Sequence, residues 1–258
     1  MPELPDVEGF RRKWLARARG KTVRRVQGDG SIVRNTSVQG LGRALSGSTF
    51  EDPERLGKWL ICHTDGAALL LHFGMTGGVV WSGEEPDRHQ HDRLFVEFDD
   101  GEIRYRNMRK FGGCWLAHDG HEIAGITGPI GPDAYRVGRA EFIERLEHKR
   151  GAIKPALMSQ KLVAGLGNLT VDETLWRAHI APRRAVRSLD ESERRAAYSS
   201  MRRVLRDSIP EGCVPGKRTW LTGARNSDDP HCPRCSGMLE RALVGGRSTY
   251  WCPRCQPD

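Results

Sequence analysis

Cys232-x-x-Cys235 and Cys252-x-x-Cys255, sixteen residues apart near the end of a 258-residue chain, constrain the fold more than any other feature. Each pair turns through a short knuckle, so four thiolates can meet one tetrahedral ion, the arrangement of a structural zinc site. A tail this short cannot bury enough apolar surface to order itself, and one bound Zn2+ would supply its folding free energy. Seven cysteines cannot all pair. With four on zinc, Cys62, Cys114 and Cys213 remain as separate thiols, which suits a reducing cytosol. A disulfide-stapled secreted protein is the alternative, and the C-x-x-C spacing speaks against it.

The other terminus reads Met1-Pro2-Glu3. Removal of Met1 would expose a secondary amine, able to attack an aldehyde-level carbon and form an iminium ion. An α-amino group titrates well below a lysine side chain, so more of it is unprotonated near neutrality. Glu3, one residue on, can give or take a proton. Alone, such an opening is common and reads as no more than a frayed chain start.

The length allows one large or two modest domains besides the tail. Hydrophobic residues make up 38%, with no apolar run of membrane-spanning length, and charges run through residues 1–30. Neither a membrane segment nor a signal peptide is expected. A formal charge of +8 and a pI near 9.3 favour a polyanionic partner such as nucleic acid.

Residues 4–19 carry Val7, Phe10, Trp14, Leu15 and Ala18 on one helical stripe, with Pro5 suited to the first turn and Gly20 to the stop. Strand patterns follow at Thr22–Gln27, Trp59–His63, Ala67–Phe73, Val79–Trp81, Leu94–Phe98 and Glu102–Arg106, with hairpin turns at Asp65-Gly66 and Asp100-Gly101. These predict an antiparallel sandwich or barrel of roughly 110 residues. Helical periods return near Arg139: Phe142, Ile143 and Leu146 share a face, and Ile153–Met158, Val171–Ala178 and Leu189–Asp207 form further helices. Ser188, with Glu191 three residues on, predicts a capping box for the last. Arginine and lysine outnumber acids between residues 150 and 206, which a solvated helix face or a nucleic-acid surface would explain. Residues 210–230 read as a loop.

Pro2-Glu3-Leu4-Pro5-Asp6-Val7-Glu8 resembles the opening signature of the formamidopyrimidine-DNA glycosylase and endonuclease VIII family. Lys161-Leu162-Val163-Ala164-Gly165-Leu166-Gly167-Asn168, followed by Asp172-Glu173 and Ala181-Pro182, is similar to its helix–two-turn–helix motif. The four cysteines, with Arg247 before Cys252, resemble its zinc finger, and His72-Phe73-Gly74-Met75-Thr76-Gly77 and Arg109-Lys110-Phe111-Gly112 match two further segments. The likeness runs end to end in the expected order. It implies an α+β fold: an N-terminal antiparallel β-sandwich with a leading helix over 1–130, a helix–two-turn–helix domain over 131–228 and a zinc finger over 229–258.

The resemblance implies base excision with strand cleavage on double-stranded DNA carrying damaged bases or abasic sites. Pro2 would attack C1′, Glu3 would act as acid and base at the sugar, and Lys58 would sit near phosphate and assist elimination. Extruding a base costs roughly a few kcal/mol of unstacking. Met75, Arg109 and Phe111 match the residues that fill the resulting void, and their glycine-rich surroundings suit exposed loops. Asn168, Lys154 and Arg247 would hold phosphates, with His72 and His91 as further contacts. A monomer, cytoplasmic and nucleoid-associated in bacterial fashion, is expected.

Four places depart from the family pattern. Asp6 stands where glutamate is commoner, Thr170 where tyrosine is usual, and Met108 where proline often precedes Arg109. Gly212–Asp229 lacks the longer aromatic-containing segment that caps a flipped purine in typical 8-oxoguanine excisers. The imine chemistry is intact and the base-recognition elements are altered, so the lesion, purine or pyrimidine, stays open. A non-catalytic damaged-DNA-binding protein on the same scaffold is the competing reading; a zinc-ribbon subunit of an RNA-processing assembly would explain only the tail.

Overall fold

A computed structural model describes residues 1–257. The chain divides into two compact units, the first formed by Met1–Pro2 and Asp6–Pro129, the second by Glu3–Pro5 and the chain from Ile130 onward.

In chain order, the first unit holds α1 (Leu4–Ala18), β1 (Arg25–Gly28), α2 (Val38–Leu45), β2 (Glu54–Leu56), β3 (Trp59–His63), β4 (Ala68–His72), β5 (Gly78–Trp81), β6 (Asp92–Phe98), β7 (Gly101–Arg106), β8 (Gly113–Ala117) and α3 (Gly120–Thr127), apart from the first two residues of α1. Two antiparallel four-stranded sheets form, in the orders β1-β6-β7-β5 and β2-β3-β4-β8. Their facing side chains make one core, including Leu60, Leu69, Leu71, Val96, Ile103 and Tyr105. This is the sandwich that the strand spacing predicts. The stripe on α1 joins it through Val7, Trp14 and Ala18, with Trp14 edge-on to Phe50 at 5.1 Å. The outward residues Ile61, Ala68, Leu70 and Ala117 meet Ile123 and Ile126 of α3. With both faces covered, β4 is apolar along almost its whole length, not alternating.

The structure shifts some of the expected elements. Thr22 makes only an isolated bridge to Thr49, and β1 begins at Arg25. The Asp100-Gly101 turn moves back by one: Phe98 pairs with Gly101, so Asp99-Asp100 form the loop. β2, β8, α2 and α3 were not expected. α2, with glycines at 40 and 42, carries only two buried leucines, Leu41 and Leu45.

The second unit contains α4 (Arg139–Glu147), α5 (Ile153–Met158), α6 (Asn168–Arg177), α7 (Glu191–Ser208), α8 (Leu221–Ala224), β9 (Glu240–Val244) and β10 (Arg247–Trp251). Phe142, Leu146, Leu157, Val171, Leu175, Met201 and Leu205 centre its helical core, which Leu4 also enters. The capping box of α7 is formed by Asp190 and Glu193, not by Ser188 and Glu191. Ser188 instead closes a short 3-10 turn, donating its hydroxyl to the Ala185 carbonyl at 2.9 Å, so the helix begins two residues later than its pattern suggests. The stretch 210–230, read as loop, contains the single turn α8. β9 and β10 pair antiparallel, and the cysteine knuckles flank them.

Candidate functional site

In the second unit the geometry centres on Glu3. Helix α6 starts after Gly167, which has no side chain to satisfy the open amides of the first turn. A carboxylate from 166 residues away does so. The Leu169 amide donates to Glu3 Oε1 at 2.8 Å and the Thr170 amide to Oε2 at 2.9 Å. The Thr170 hydroxyl also bonds Oε2. Glu3 is 2% exposed, so its charge is met by these donors and by the positive end of the helix. A Cβ on residue 167 would lie 2.3 Å from Glu3 Cδ, so the carboxylate fits only because residue 167 is glycine.

The turn before α6 holds the chain start as well. Leu4 donates its amide to the Gly165 carbonyl at 3.0 Å. Gln160 staples the turn internally, accepting from the Gly165 amide at 2.8 Å and donating to the Leu166 carbonyl at 3.0 Å. Asn168 donates one amide hydrogen to the Ser248 carbonyl at 3.0 Å, which leaves the second hydrogen of that nitrogen for another acceptor. Its Oδ1 is buried with no hydrogen-bond partner.

Lys154 does not fit its expected role. It is fully buried, and its ammonium donates to Asp172 Oδ1 at 2.6 Å, Thr249 Oγ1 at 2.7 Å and the Ser248 carbonyl at 3.3 Å. Arg225 takes the other Asp172 oxygen at 2.9 Å. Burial pushes the Asp172 carboxyl up and the Lys154 ammonium down, and their mutual attraction opposes both shifts. A lysine so committed cannot present its charge to a DNA phosphate. The assignment is corrected to an interior counter-ion that ties α5 and α6 to β10. Arg247, at the start of β10, is exposed.

The thiols of Cys232, Cys235, Cys252 and Cys255 all lie within 4.8 Å of one another, with Cys232–Cys255 at 3.9 Å and Cys235–Cys252 at 3.4 Å. A tetrahedral zinc with Zn–S of about 2.3 Å sets its sulfurs ~3.8 Å apart, so the four fit the ion. The Trp176 indole N–H points at Cys232 Sγ from 3.3 Å, a second-layer contact that anchors the knuckle to α6.

In the first unit, Met75 and Phe111 are among the few large exposed apolar side chains, Phe111 at 68%. Arg109 is exposed too, with Nη1 3.6 Å from Met75 Sδ. Asn107, fully buried and absent from the sequence expectations, holds both loops. Its Nδ2 donates to the Phe73 carbonyl at 3.3 Å and Tyr105 Oη at 2.7 Å, while Oδ1 accepts from the Lys110 amide at 2.9 Å and from Thr76 Oγ1 at 3.3 Å. Lys110 itself pairs with Asp29 at 2.7 Å, holding that carboxyl well below the usual range. No sequence pattern marks an asparagine as a strut between two loops.

Lys58 lies in the two-residue hairpin Gly57-Lys58, where Leu56 pairs with Trp59 and Gly57 has φ 58°. Such loops require positive φ, which glycine supplies. His72 is largely buried, and desolvation first, then the nearby Lys58 charge, drives its pKa down to about 4. It is therefore neutral near pH 7 and can serve a phosphate only as a neutral donor. Burial, reinforced by His89, Arg93 and Arg106, also lowers the pKa of His91. Pro2 is partly exposed.

The comparisons with known proteins agree along the chain. Residues 1–114 match the family described as the formamidopyrimidine-DNA glycosylase N-terminal domain, residues 130–215 the corresponding H2TH domain, and residues 231–257 the zinc finger found in FPG and IleRS. The chain is 32% identical to the formamidopyrimidine-DNA glycosylase of Bacillus subtilis (99% of each chain) and 34% identical to that of Symbiobacterium thermophilum (100% and 90%). Among solved structures, it is similar to the Lactococcus lactis Fpg in complex with an abasic-site-containing DNA, with a TM-score of 0.89 and 30% identity over 99% of this chain and 100% of that one. A complex of the same protein with a Fapy-dG-containing DNA gives a TM-score of 0.89 and 31% identity at the same coverage.

Proposed function

The chain belongs to the formamidopyrimidine-DNA glycosylase family, and from that premise we propose how its own residues carry the reaction. It is a DNA glycosylase of base excision repair, with the abasic-site lyase activity typical of the family. With Met1 removed, the Pro2 nitrogen attacks C1′ of a damaged deoxynucleotide. A C1′–N bond forms, the glycosidic bond breaks, and its electron pair leaves with the base, which takes up a proton. Glu3 exchanges protons at the sugar: the Pro2 nitrogen loses its N–H proton, O4′ gains one, and the ring opens to the iminium ion. Loss of a 2′ proton then expels the 3′ phosphate, with Lys58 assisting near that phosphate.

The observation that carries this reading is the Glu3 carboxylate, fixed by the first turn of α6 one residue from the reactive amine. A bare chain start would be disordered; here Met1 is exposed and Pro2 partly so, while the Glu3 side chain is buried and oriented. Met75, Arg109 and Phe111 are assigned to the void left by the extruded base, and Asn168, Arg247, His91 and neutral His72 to phosphates. Residues 1–130, 131–228 and 229–258 divide these tasks. Zinc, held by the four cysteines, orders the hairpin that carries Arg247. The relatives above are bacterial, and the protein is assigned to the cytoplasm, on the nucleoid.

Borohydride trapping tests the reading. Protein of confirmed N-terminal mass, lacking Met1, is expected to form a covalent adduct with abasic-site DNA. No adduct from such protein would leave only a DNA-binding function.

A further inference from the structure

Thr170 reaches Glu3 with both its amide and its hydroxyl, on the same oxygen. It is fully buried, and Glu3 is 2% exposed, so bulk water does not solvate this contact. We infer that Thr170 is a positioning residue whose hydroxyl lets the buried Glu3 side chain be held in both its ionised and its protonated form. The inference rests on the acid/base role of Glu3 given above.

The reason is the asymmetry between donors. The amides of Leu169 and Thr170 can only donate, so they match a carboxylate and oppose an O–H placed on the same oxygen. A hydroxyl donates or accepts, and it turns about its C–O bond to do so. While Glu3 is ionised, the Thr170 hydroxyl donates to Oε2. When Oε2 takes up a proton, that O–H donates back to Thr170 Oγ1. The threonine hydrogen then turns away from Oε2 about the C–O bond. No proton leaves the threonine, and the carboxyl group keeps its orientation through the cycle. A longer side chain such as tyrosine would carry its hydroxyl a ring's length beyond its own amide, so it could not share one oxygen with it.

Thr170→Val keeps the branched shape without the hydroxyl, and Thr170→Ser keeps the hydroxyl without the branch. Single-turnover release of a damaged base should slow about ten- to a hundredfold in Thr170→Val, the worth of one hydrogen bond to a charged group. Its Kd for the same duplex should change less than ~3-fold, since phosphate contacts set most of the affinity. Thr170→Ser should recover to within roughly threefold of the parent. Thr170→Ala, expected to match Thr170→Val, replaces it if the valine protein does not fold. Parent-like rates in the variants lacking the hydroxyl would overturn the inference. So would a Kd loss as large as the rate loss, without rescue by serine, because that marks a purely structural role. Glu3→Gln serves as the control. If it excises bases at the parent rate, the acid/base reading falls and this inference with it; if it is crippled while Thr170→Val is not, only the inference on Thr170 falls.

Discussion

Lys154 and Asp172 form an ion pair with both side chains at zero exposure, 2.6 Å apart. Two charges taken out of water are costly to separate, because the survivor keeps its desolvation penalty. Asp172→Asn would leave Lys154 and Arg225 facing a neutral amide. We expect it to cost about 3–5 kcal/mol of stability, read as a lower urea midpoint. Lys154→Met should cost less, since Arg225 still meets the carboxylate. An aspartate variant as stable as the parent would contradict the ionised state of this pair.

Gly167→Ala places a methyl group where the Glu3 carboxylate lies, at 2.3 Å. The carboxylate must move, and a displacement on the order of 1 Å at a reacting group costs about a hundredfold in rate. Damaged-base release in single turnover should fall by that factor or more. Trapping on an abasic site, which needs no base release, should suffer less.

The pKa of His72 gives stability a slope with pH. Folded, it lies near 4, against 6.5 for an unperturbed histidine. Between those values the unfolded chain binds the extra proton. The contribution is therefore complete above pH 6.5 and is lost as pH falls towards 4. The loss is on the order of 3 kcal/mol at most. Urea denaturation at pH 7 and pH 5 should show the parent losing more stability than His72→Asn over that interval. Equal losses in both proteins would rule the effect out.

Cys235→Ser removes one thiolate from the set within 4.8 Å. Zinc content should drop, and the β9–β10 hairpin should become accessible to protease, since the metal supplies its folding free energy. Arg247→Ala is the finer probe. It should keep zinc while lowering the slope of log affinity against log salt by about one. A zinc-free protein with parent affinity would separate the finger from DNA binding.

Local patterns were legible and long-range partners were not. Trp59–His63 and Ile153–Met158 have the bounds that their sequence patterns predict: the first is a short apolar run buried through its middle, and the second buries residues three to four apart. The cysteine cluster followed from spacing alone, since one metal ion sets the geometry of both knuckles. Lys154 misled because a lysine near a basic motif reads as surface, and its partner Asp172 lies eighteen residues away with nothing to mark it. Ser188 misled because a capping pattern two residues early cannot show that Asp190 holds the helix start. Thr170 was visible only as a departure from the family motif; its bond to Glu3 required the fold.

Glu3 meets its helix 166 residues further along the chain. During synthesis the first residues emerge long before the turn that will hold them has been made. The amine's acidic neighbour is therefore seated only when the rear half of the polypeptide has folded. A truncated or stalled nascent chain would carry Pro2 without Glu3 in place, so on the reading proposed above base release would be the last step to become available.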